Sequence, residues 1–135
     1  MPYTKQYTIR MRDTDAAGLI YFAEQLRIAH EAFEAFIDEV GLSFRYLLTT
    51  APYMIPIVHT EADYRAPLFV GDKVTIHMVL DRIGTSSFTI QFHLTRHDNV
   101  AVGTVKTTHV AIDRESHTKV PVPEELRKHL EAIGP

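Results

Sequence analysis

The spacing of apolar residues predicts one long helix in the first third of the chain. One set recurs at intervals of three and four residues, the period of a single helix face: Phe22, Leu26, Ala29, Phe33, Ile37 and Val40. Ile28, Ala32 and Phe36 lie beside this stripe, so the apolar arc is wide and predicts a helix buried within the fold. Gly41 follows the last apolar position, where helices commonly end in a left-handed residue. We therefore expect a helix over about residues 21–40.

Most of the remaining chain alternates apolar and polar residues, which is the period of half-buried strands. The alternation covers five stretches: residues 3–11, 53–64, 73–80, 88–95 and 101–112. Pro56 interrupts the second stretch and indicates an edge position or a bulge there. A short helical turn over 43–50 and a C-terminal helix over 121–133, with Pro123 near its first turn, complete the prediction. The order β-α-β-β-β-β-α predicts an antiparallel meander with the long helix on one face.

Size and charge narrow the class of protein. The 135 residues predict a single domain over 1–135, and a net charge of −3 without a basic cluster disfavours a nucleic-acid partner. The chain has no cysteine, which excludes disulfides, thiolate nucleophiles and cysteine zinc sites. The longest apolar run, residues 16–23, is too short to cross a bilayer, and the N-terminal stretch has no signal-peptide pattern. We expect a cytoplasmic protein with no membrane partner.

An acidic pair, Asp13 and Asp15, precedes the long helix. Asp15 is the stronger candidate for chemistry, since unpaired N–H groups and the dipole make a helix start locally positive. A carboxylate there can act as nucleophile or general base, while amides around residues 18–22 hold an oxyanion. Gly18 would permit close approach of the backbone to a substrate. The alternative is that Asp15 only caps the helix, a common use of aspartate; we assign Asp13 to a turn or cap.

Other motifs give weaker signals. His30 to Glu34 resembles the start of a zinc-protease helix, but Glu34 stands where the second histidine is required, so no metal site is predicted. The chain has no glycine-rich phosphate loop and no Gly-x-Ser-x-Gly motif. The segment 82–87, RIGTSS, combines a cation, a glycine and three hydroxyls, which can bind phosphate but also make an ordinary turn.

Two segments together resemble a known family. The first is 13–21, DTDAAGLIY, which opens the long helix after one strand, and the second is 64–72, YRAPLFVGD, which leads into a later strand. Both are similar to signatures of the acyl-CoA thioesterases of the 4-hydroxybenzoyl-CoA thioesterase family, and the similarity covers nearly the whole chain. The resemblance implies an α+β hotdog fold, a curved antiparallel sheet wrapped around one long central helix.

The resemblance also implies site residues. The family's nucleophile or general base falls on Asp15, and the amide that polarises the thioester carbonyl falls near Tyr21 and Phe22. Relatives contact coenzyme A at the turn after the third strand, which here contains Arg82, Gly84, Thr85 and Ser86. Further candidates for positioning water or substrate are Gly18, Glu24, Gln25 and Thr60. Coenzyme A is part of the substrate, so no separate cofactor is expected.

The segments 21–23 and 30–34 are most similar to the branch acting on 1,4-dihydroxy-2-naphthoyl-CoA, which serves phylloquinone and menaquinone synthesis. Phe22 departs from the histidine or tyrosine of many relatives, and Glu24-Gln25 from their Asn-Tyr. The resemblance implies a homodimer with the active site between protomers, and dimers that assemble into a homotetramer. The alternatives are a thioesterase for another aromatic or short-chain acyl group, and a non-catalytic acyl-CoA-binding module on the same fold.

Overall fold

The computed structural model describes residues 2–135, in which five antiparallel strands form one sheet. The seven strands in chain order are β1 Tyr3–Thr8, β2 Tyr53–Met54, β3 Ile57–Tyr64, β4 Lys73–Ile83, β5 Ser87–Arg96, β6 Ala101–Val110 and β7 Ile112–Asp113. The helices are α1 Phe22–Glu39, α2 Phe44–Thr49 and α3 Glu124–Ile133. The large sheet has the order β1-β4-β5-β6-β3, and β2 pairs with β7 in a small second sheet.

The predicted meander is correct for β4, β5 and β6 and wrong for β3. That strand crosses to the far edge of the sheet and pairs with β6, with Ile57 opposite His109 and Tyr64 opposite Gly103. The physical reason is the connection over 65–72, which is longer than the two to about five residues of a hairpin loop. The crossing makes β3 an open edge strand, in agreement with the edge position indicated by Pro56. The strand also has an irregular register between Ile57 and His59.

Helix α1 agrees with the prediction to within one residue at each end, and Gly41 has the expected left-handed backbone with φ of +91°. Its buried apolar residues are Ile28, Ala29, Ala32, Phe33, Phe36 and Ile37. The predicted stripe is wrong at Phe22, which is 62% exposed, and Leu26 and Val40 are only partly buried. The apolar face against the sheet thus begins after the first turn of the helix, and that turn presents an aromatic ring to the surface.

Two predicted strands end earlier than expected. The first ends at Thr8, because residues 11–13 form a 3₁₀ turn that carries Asp13 into the interior. The last ends at Val110, and Ile112 pairs with Met54 in the small sheet. None of the helices within residues 2–135 is long and apolar enough to cross a membrane.

Candidate active site

The loop before α1 is a small hairpin that carries Asp15. Thr14 bridges to Ile20, and the amide of Asp15 donates to the carbonyl of Leu19 at 2.9 Å. Gly18 closes the hairpin with φ of +83°, a conformation that residues with side chains rarely adopt. The space beside its Cα is open among the described residues, so the backbone angle by itself favours glycine here, and close approach of a substrate stays a prediction. The hairpin turns Asp15 back beside the residues that lead into the helix.

Asp15 does not cap α1, so the capping interpretation is wrong. The residue before the helix is Tyr21, whose side chain makes no capping hydrogen bond. The Asp15 carboxylate is exposed, and its Oδ1 accepts a hydrogen bond from the amide of Ala17 at 2.9 Å. Within residues 2–135 no group donates to its second oxygen, Oδ2, which is available to a reactant.

Asp13 has the opposite environment and is more than a turn residue. Its buried carboxylate accepts hydrogen bonds from the Tyr7 hydroxyl at 2.9 Å and from the Arg10 amide at 2.8 Å, and it pairs with the Arg27 guanidinium. The main-chain carbonyl of Asp13 also accepts from the Tyr21 amide at 2.9 Å. These contacts tie the end of β1 to the start of α1 and fix the base of the loop that carries Asp15. No local pattern in the sequence marks this anchor, because its partners come from three separate segments.

The start of α1 offers backbone amides to a developing negative charge. The Tyr21 amide is not among them, since it already donates to Asp13, and the prediction for this residue is corrected. Phe22 and Ala23 are the first two helical residues, whose N–H groups have no acceptor within a helix. Among the described residues, none accepts from either amide. The oxyanion donors available at this helix start are therefore Phe22 and Ala23.

The surface around the helix start is apolar. The Tyr64 ring is 49% exposed, and its hydroxyl donates to the carbonyl of Phe22 at 2.7 Å. A shallow cavity of about 320 Å³ lies there, and its lining is apolar except for Arg65: Leu19, Ile20, Phe22, Tyr64, Arg65, Ala66 and Pro67. Three further exposed apolar residues lie close in sequence to those that line the cavity: Tyr21, Phe69 and Val70. A surface of this kind indicates a substrate or a protein partner.

Three of the predicted positioning residues are engaged within the fold. Glu24 pairs with Arg27 on one side of the helix. On the other side, Gln25 is buried and its Nε2 donates to the carbonyl of Asp63 at 2.9 Å. The hydroxyl of Thr60, midway along β3, donates to the carbonyl of Lys106 at 3.0 Å. A role for these residues in positioning water or substrate stays a prediction.

The predicted coenzyme A turn lies at the other end of the sheet from the helix start. The turn precedes Phe88, which pairs with His109, and His109 in turn pairs with Ile57 at the start of β3. The helix start adjoins Tyr64, at the opposite end of β3 and roughly 23 Å away at about 3.3 Å per residue. The turn residues Arg82, Gly84, Thr85 and Ser86 are therefore not brought together with Asp15 of the same chain.

The carbonyls of this turn are already used by the C-terminal part of the chain. The guanidinium of Arg127 donates to the carbonyls of Gly84 at 2.6 Å and Thr85 at 3.2 Å, and the Val122 amide donates to Thr85 at 2.8 Å. Arg82 and the hydroxyls of the turn remain toward the surface. These are the groups that phosphate can contact, and their role in binding coenzyme A stays a prediction.

A second cavity, of about 360 Å³, lies between α1 and α2 at the Ile57 end of β3. Its apolar walls include Phe33, Phe44, Leu47, Leu48, Met54 and Ile57. Three polar side chains complete its lining: His30, His109 and Arg114. Sequence reasoning missed this cavity, because its walls come from four elements whose apolar residues look like ordinary core positions. No group of three or more acidic or histidine side chains within residues 2–135 is arranged to hold a metal ion.

His109 is buried at the inner wall of that cavity. Its Nδ1 donates to the carbonyl of Ile55 at 3.1 Å, and its Nε2 lies 3.0 Å from the Thr107 hydroxyl. The ring stacks on Phe88 with centroids 4.7 Å apart. Burial away from water lowers the pKa of His109 to about 4, so the ring is neutral at physiological pH.

Comparison with known proteins gives the same family as the motifs. Residues 9–130 match the sequence profile of the thioesterase-like superfamily. A 1,4-dihydroxy-2-naphthoyl-CoA hydrolase from Nostoc punctiforme is 38% identical over 131 residues, which cover 97% of this chain and 88% of the relative. A hydrolase of the same name from Synechococcus elongatus is 36% identical over 130 residues, covering 96% of this chain and 95% of the relative.

The crystal structure of a 1,4-dihydroxy-2-naphthoyl-CoA thioesterase from Synechocystis matches the fold with a TM-score of 0.91 at 24% sequence identity. The match covers 96% of each chain. It confirms the α+β hotdog architecture that the resemblance implies, with one long helix against a curved antiparallel sheet.

Proposed function

The chain belongs to the thioesterase-like superfamily, and from this we propose that it is an acyl-CoA thioesterase that hydrolyses 1,4-dihydroxy-2-naphthoyl-CoA to the naphthoate and coenzyme A. The main support for a hydrolytic reaction is the Oδ2 of Asp15, which accepts no hydrogen bond from the described residues. It lies in the loop that leads to the unpaired amides of Phe22 and Ala23. Support for the acyl group comes from the names of the two relatives that match nearly the whole chain. We propose that this reaction serves phylloquinone or menaquinone synthesis.

The reaction uses the charge distribution at the start of α1. The thioester carbonyl oxygen accepts hydrogen bonds from the amides of Phe22 and Ala23, which stabilise the negative charge of the tetrahedral intermediate. Asp15 either attacks the carbonyl carbon, which expels the coenzyme A thiolate and leaves an anhydride for water to cleave, or removes a proton from the attacking water. In both routes the C–S bond breaks, and the thiolate takes up a proton as it leaves.

A second copy of the chain completes this site in our proposal. Among residues 2–135, no strand pairs with the outer side of the edge strand β3, and Val58 on this strand is 59% exposed. Tyr64 at one end of β3 adjoins the helix start, and Ile57 at the other end lines the cavity between α1 and α2. Antiparallel pairing of two β3 strands about their middle therefore sets Asp15 of one protomer opposite the cavity of its partner.

The same pairing accounts for the distant coenzyme A turn. The turn lies at the Ile57 end of its own sheet, so the dimer brings it to the same side as the partner's helix start. We propose a homodimer of this kind, assembling further into the homotetramer that the family resemblance implies. A cytoplasmic location, expected from the sequence, stays a prediction.

A panel of coenzyme A esters tests the proposed function. Steady-state hydrolysis is measured for 1,4-dihydroxy-2-naphthoyl-CoA beside benzoyl-, phenylacetyl-, hexanoyl- and palmitoyl-CoA. The proposal predicts the highest kcat/KM for the dihydroxynaphthoyl ester. A higher kcat/KM for another ester would overturn the proposed acyl group but support thioester hydrolysis. Binding of the esters without turnover would favour the non-catalytic acyl-CoA-binding module.

A further inference from the structure

The polar groups of the cavity between α1 and α2 are almost all occupied by the protein itself. The Arg114 guanidinium donates to the main-chain carbonyls of Ala51 at 2.5 Å and Leu48 at 3.3 Å, and to that of Leu47. It thereby satisfies carbonyls at and beyond the end of α2. Both ring nitrogens of His109 have partners, as described above. Among residues 2–135, neither side chain has an acceptor to spare for a ligand, although one N–H of the Arg114 Nη1 has no partner.

His30 is the exception. Its ring is about one-third exposed, and its Nδ1 lies 3.3 Å from a carboxylate oxygen of Glu34, one turn further along α1. A carboxylate only accepts, so Nδ1 carries the hydrogen of this bond. In the neutral ring the other nitrogen, Nε2, is then an acceptor. Within residues 2–135 no group contacts Nε2 by a hydrogen bond.

The walls beside His30 form an aromatic corner. The Phe33 and Phe44 rings meet edge to face, with centroids 6.1 Å apart at 83°, and the His30 ring meets Phe44 at 5.9 Å and 78°. Such a corner favours a flat aromatic group packed on its faces and edges. The cavity volume of about 360 Å³ falls in the usual range for small-molecule sites, and these bind mostly apolar surface with few polar contacts.

We propose that His30 is a specificity-determining residue, whose Nε2 accepts a hydrogen bond from a phenolic hydroxyl of an aromatic acyl group seated in this cavity. The inference rests on the proposed function, because the acyl group of a thioester at one protomer's Asp15 enters the partner's cavity in the dimer. A site that hydrogen-bonds a hydroxyl disfavours an analogue without it, since the bound acyl group covers the acceptor and leaves it unpaired. Glu34 acts through His30 by holding the ring in the tautomer that accepts.

The test compares matched esters that differ only in hydroxyl groups. The ratio of kcat/KM for 1,4-dihydroxy-2-naphthoyl-CoA to that for 2-naphthoyl-CoA is measured for the natural chain and for His30→Phe and His30→Gln. In His30→Phe the aromatic wall remains and the acceptor is lost, so the ratio falls about fivefold to tenfold. His30→Gln keeps an acceptor oxygen and retains part of the preference. Glu34→Gln, which frees the tautomer, gives a smaller fall.

The control is His93→Phe, an exposed histidine on β5, which leaves the ratio unchanged. An unchanged ratio in His30→Phe, with the variant folded by circular dichroism, would overturn the proposal. Calorimetric titration with 1,4-dihydroxy-2-naphthoate and 2-naphthoate separates this result from failure of the proposed function. If no ester is hydrolysed but the hydroxylated acid binds more tightly and loses that advantage in His30→Phe, the function fails and the role of His30 stands. Equal binding of both acids by the natural chain would overturn the role of His30.

Discussion

Asp13 and Asp15 are one residue apart in the chain and lie in opposite surroundings. Asp13 is buried with a full set of donors from Tyr7, Arg10 and Arg27, and no part of its carboxylate is left for chemistry. Asp15 is exposed and has one local hydrogen bond. The sequence predicts Asp15 as the catalytic carboxylate, from its position before the helix and from the family motif, and that role stays a prediction. Sequence reasoning could not identify the anchoring role of Asp13, because spacing along the chain does not show which distant donors a folded loop will meet.

His109 makes the stability of the fold depend on pH. The pKa of His109 is about 4 in the folded protein and about 6.5 in the unfolded chain. Between these two pH values the unfolded state binds a proton on this ring and the folded state does not. The free energy of unfolding therefore falls as the pH drops from about 6.5 to about 4. Below about pH 4, His109 does not lower the free energy of unfolding any further. The loss from about pH 6.5 to about pH 4 is about 3 kcal/mol. Urea unfolding of the natural chain and of His109→Gln across this range measures it.

The glutamine amide in His109→Gln can still form hydrogen bonds with Ile55 and Thr107, but it does not titrate. Carboxylates that protonate in the same pH range do so in both proteins, so the difference between the two proteins reports His109. The two proteins should converge in stability as the pH falls toward 4. Parallel curves for the two proteins from pH 7 to pH 4 would contradict the assignment.

At the level of elements, one of the contacts between the sheet and helix α1 is especially close. Gly103 on β6 leaves room for the Gln25 side chain to reach the carbonyls of Asp63 and Thr104. Most boundaries of the elements followed from period and turn residues, because these depend on neighbours in the chain. The strand that pairs with β3 could not be predicted in this way. A strand at the edge of the sheet and a strand within a hairpin show the same alternation of apolar and polar residues.

A methyl group at Gly103 should break this contact. In Gly103→Ala the added carbon would lie 2.3 Å from the Asp63 carbonyl oxygen and 2.7 Å from Gln25 Nε2, so the backbone of β3 or the helix must shift. We expect a loss of about 2 kcal/mol in the free energy of unfolding, as for other overpacked sites. Gly84→Ala is the matched control, since its added carbon meets its nearest atoms at ordinary distances of 3.7 and 3.8 Å. Equal stability of the two variants in urea would contradict this account.

At the scale of the whole molecule, the proposed site is complete only with a second copy of the chain. Within one chain the helix start and the aromatic cavity lie at opposite ends of β3, and each has exposed apolar area beside it. The sequence contains both family signatures but does not show this separation, since distance across a sheet is a property of the fold. The exposed edge of β3 is the place where the two halves of a complete site can meet.

Val58→Asp tests this pairing. Antiparallel pairing of two β3 strands about their middle sets residue 58 of one copy opposite Asp63 of the other. The substitution therefore places like charges beside each other at the interface, so the variant should be monomeric and should lose thioesterase turnover. Thr4→Asp, on the opposite edge strand β1, serves as the control and should keep both assembly and activity. Light scattering after size-exclusion chromatography gives the assembly state. A fully active Val58→Asp monomer would mean that each chain holds a complete site.

The most direct test of the central claim is hydrolysis of 1,4-dihydroxy-2-naphthoyl-CoA by the natural chain and by Asp15→Asn. The asparagine Oδ1 can still accept from the Ala17 amide, so the loop keeps its shape while the carboxylate is lost. The control is Asp113→Asn, a substitution in a comparable turn where the carboxylate accepts from the Ser116 amide at 2.9 Å. We expect turnover to fall by roughly a hundredfold or more in Asp15→Asn, and to be unchanged in Asp113→Asn. Turnover that survives Asp15→Asn at the natural rate would contradict the account of this site.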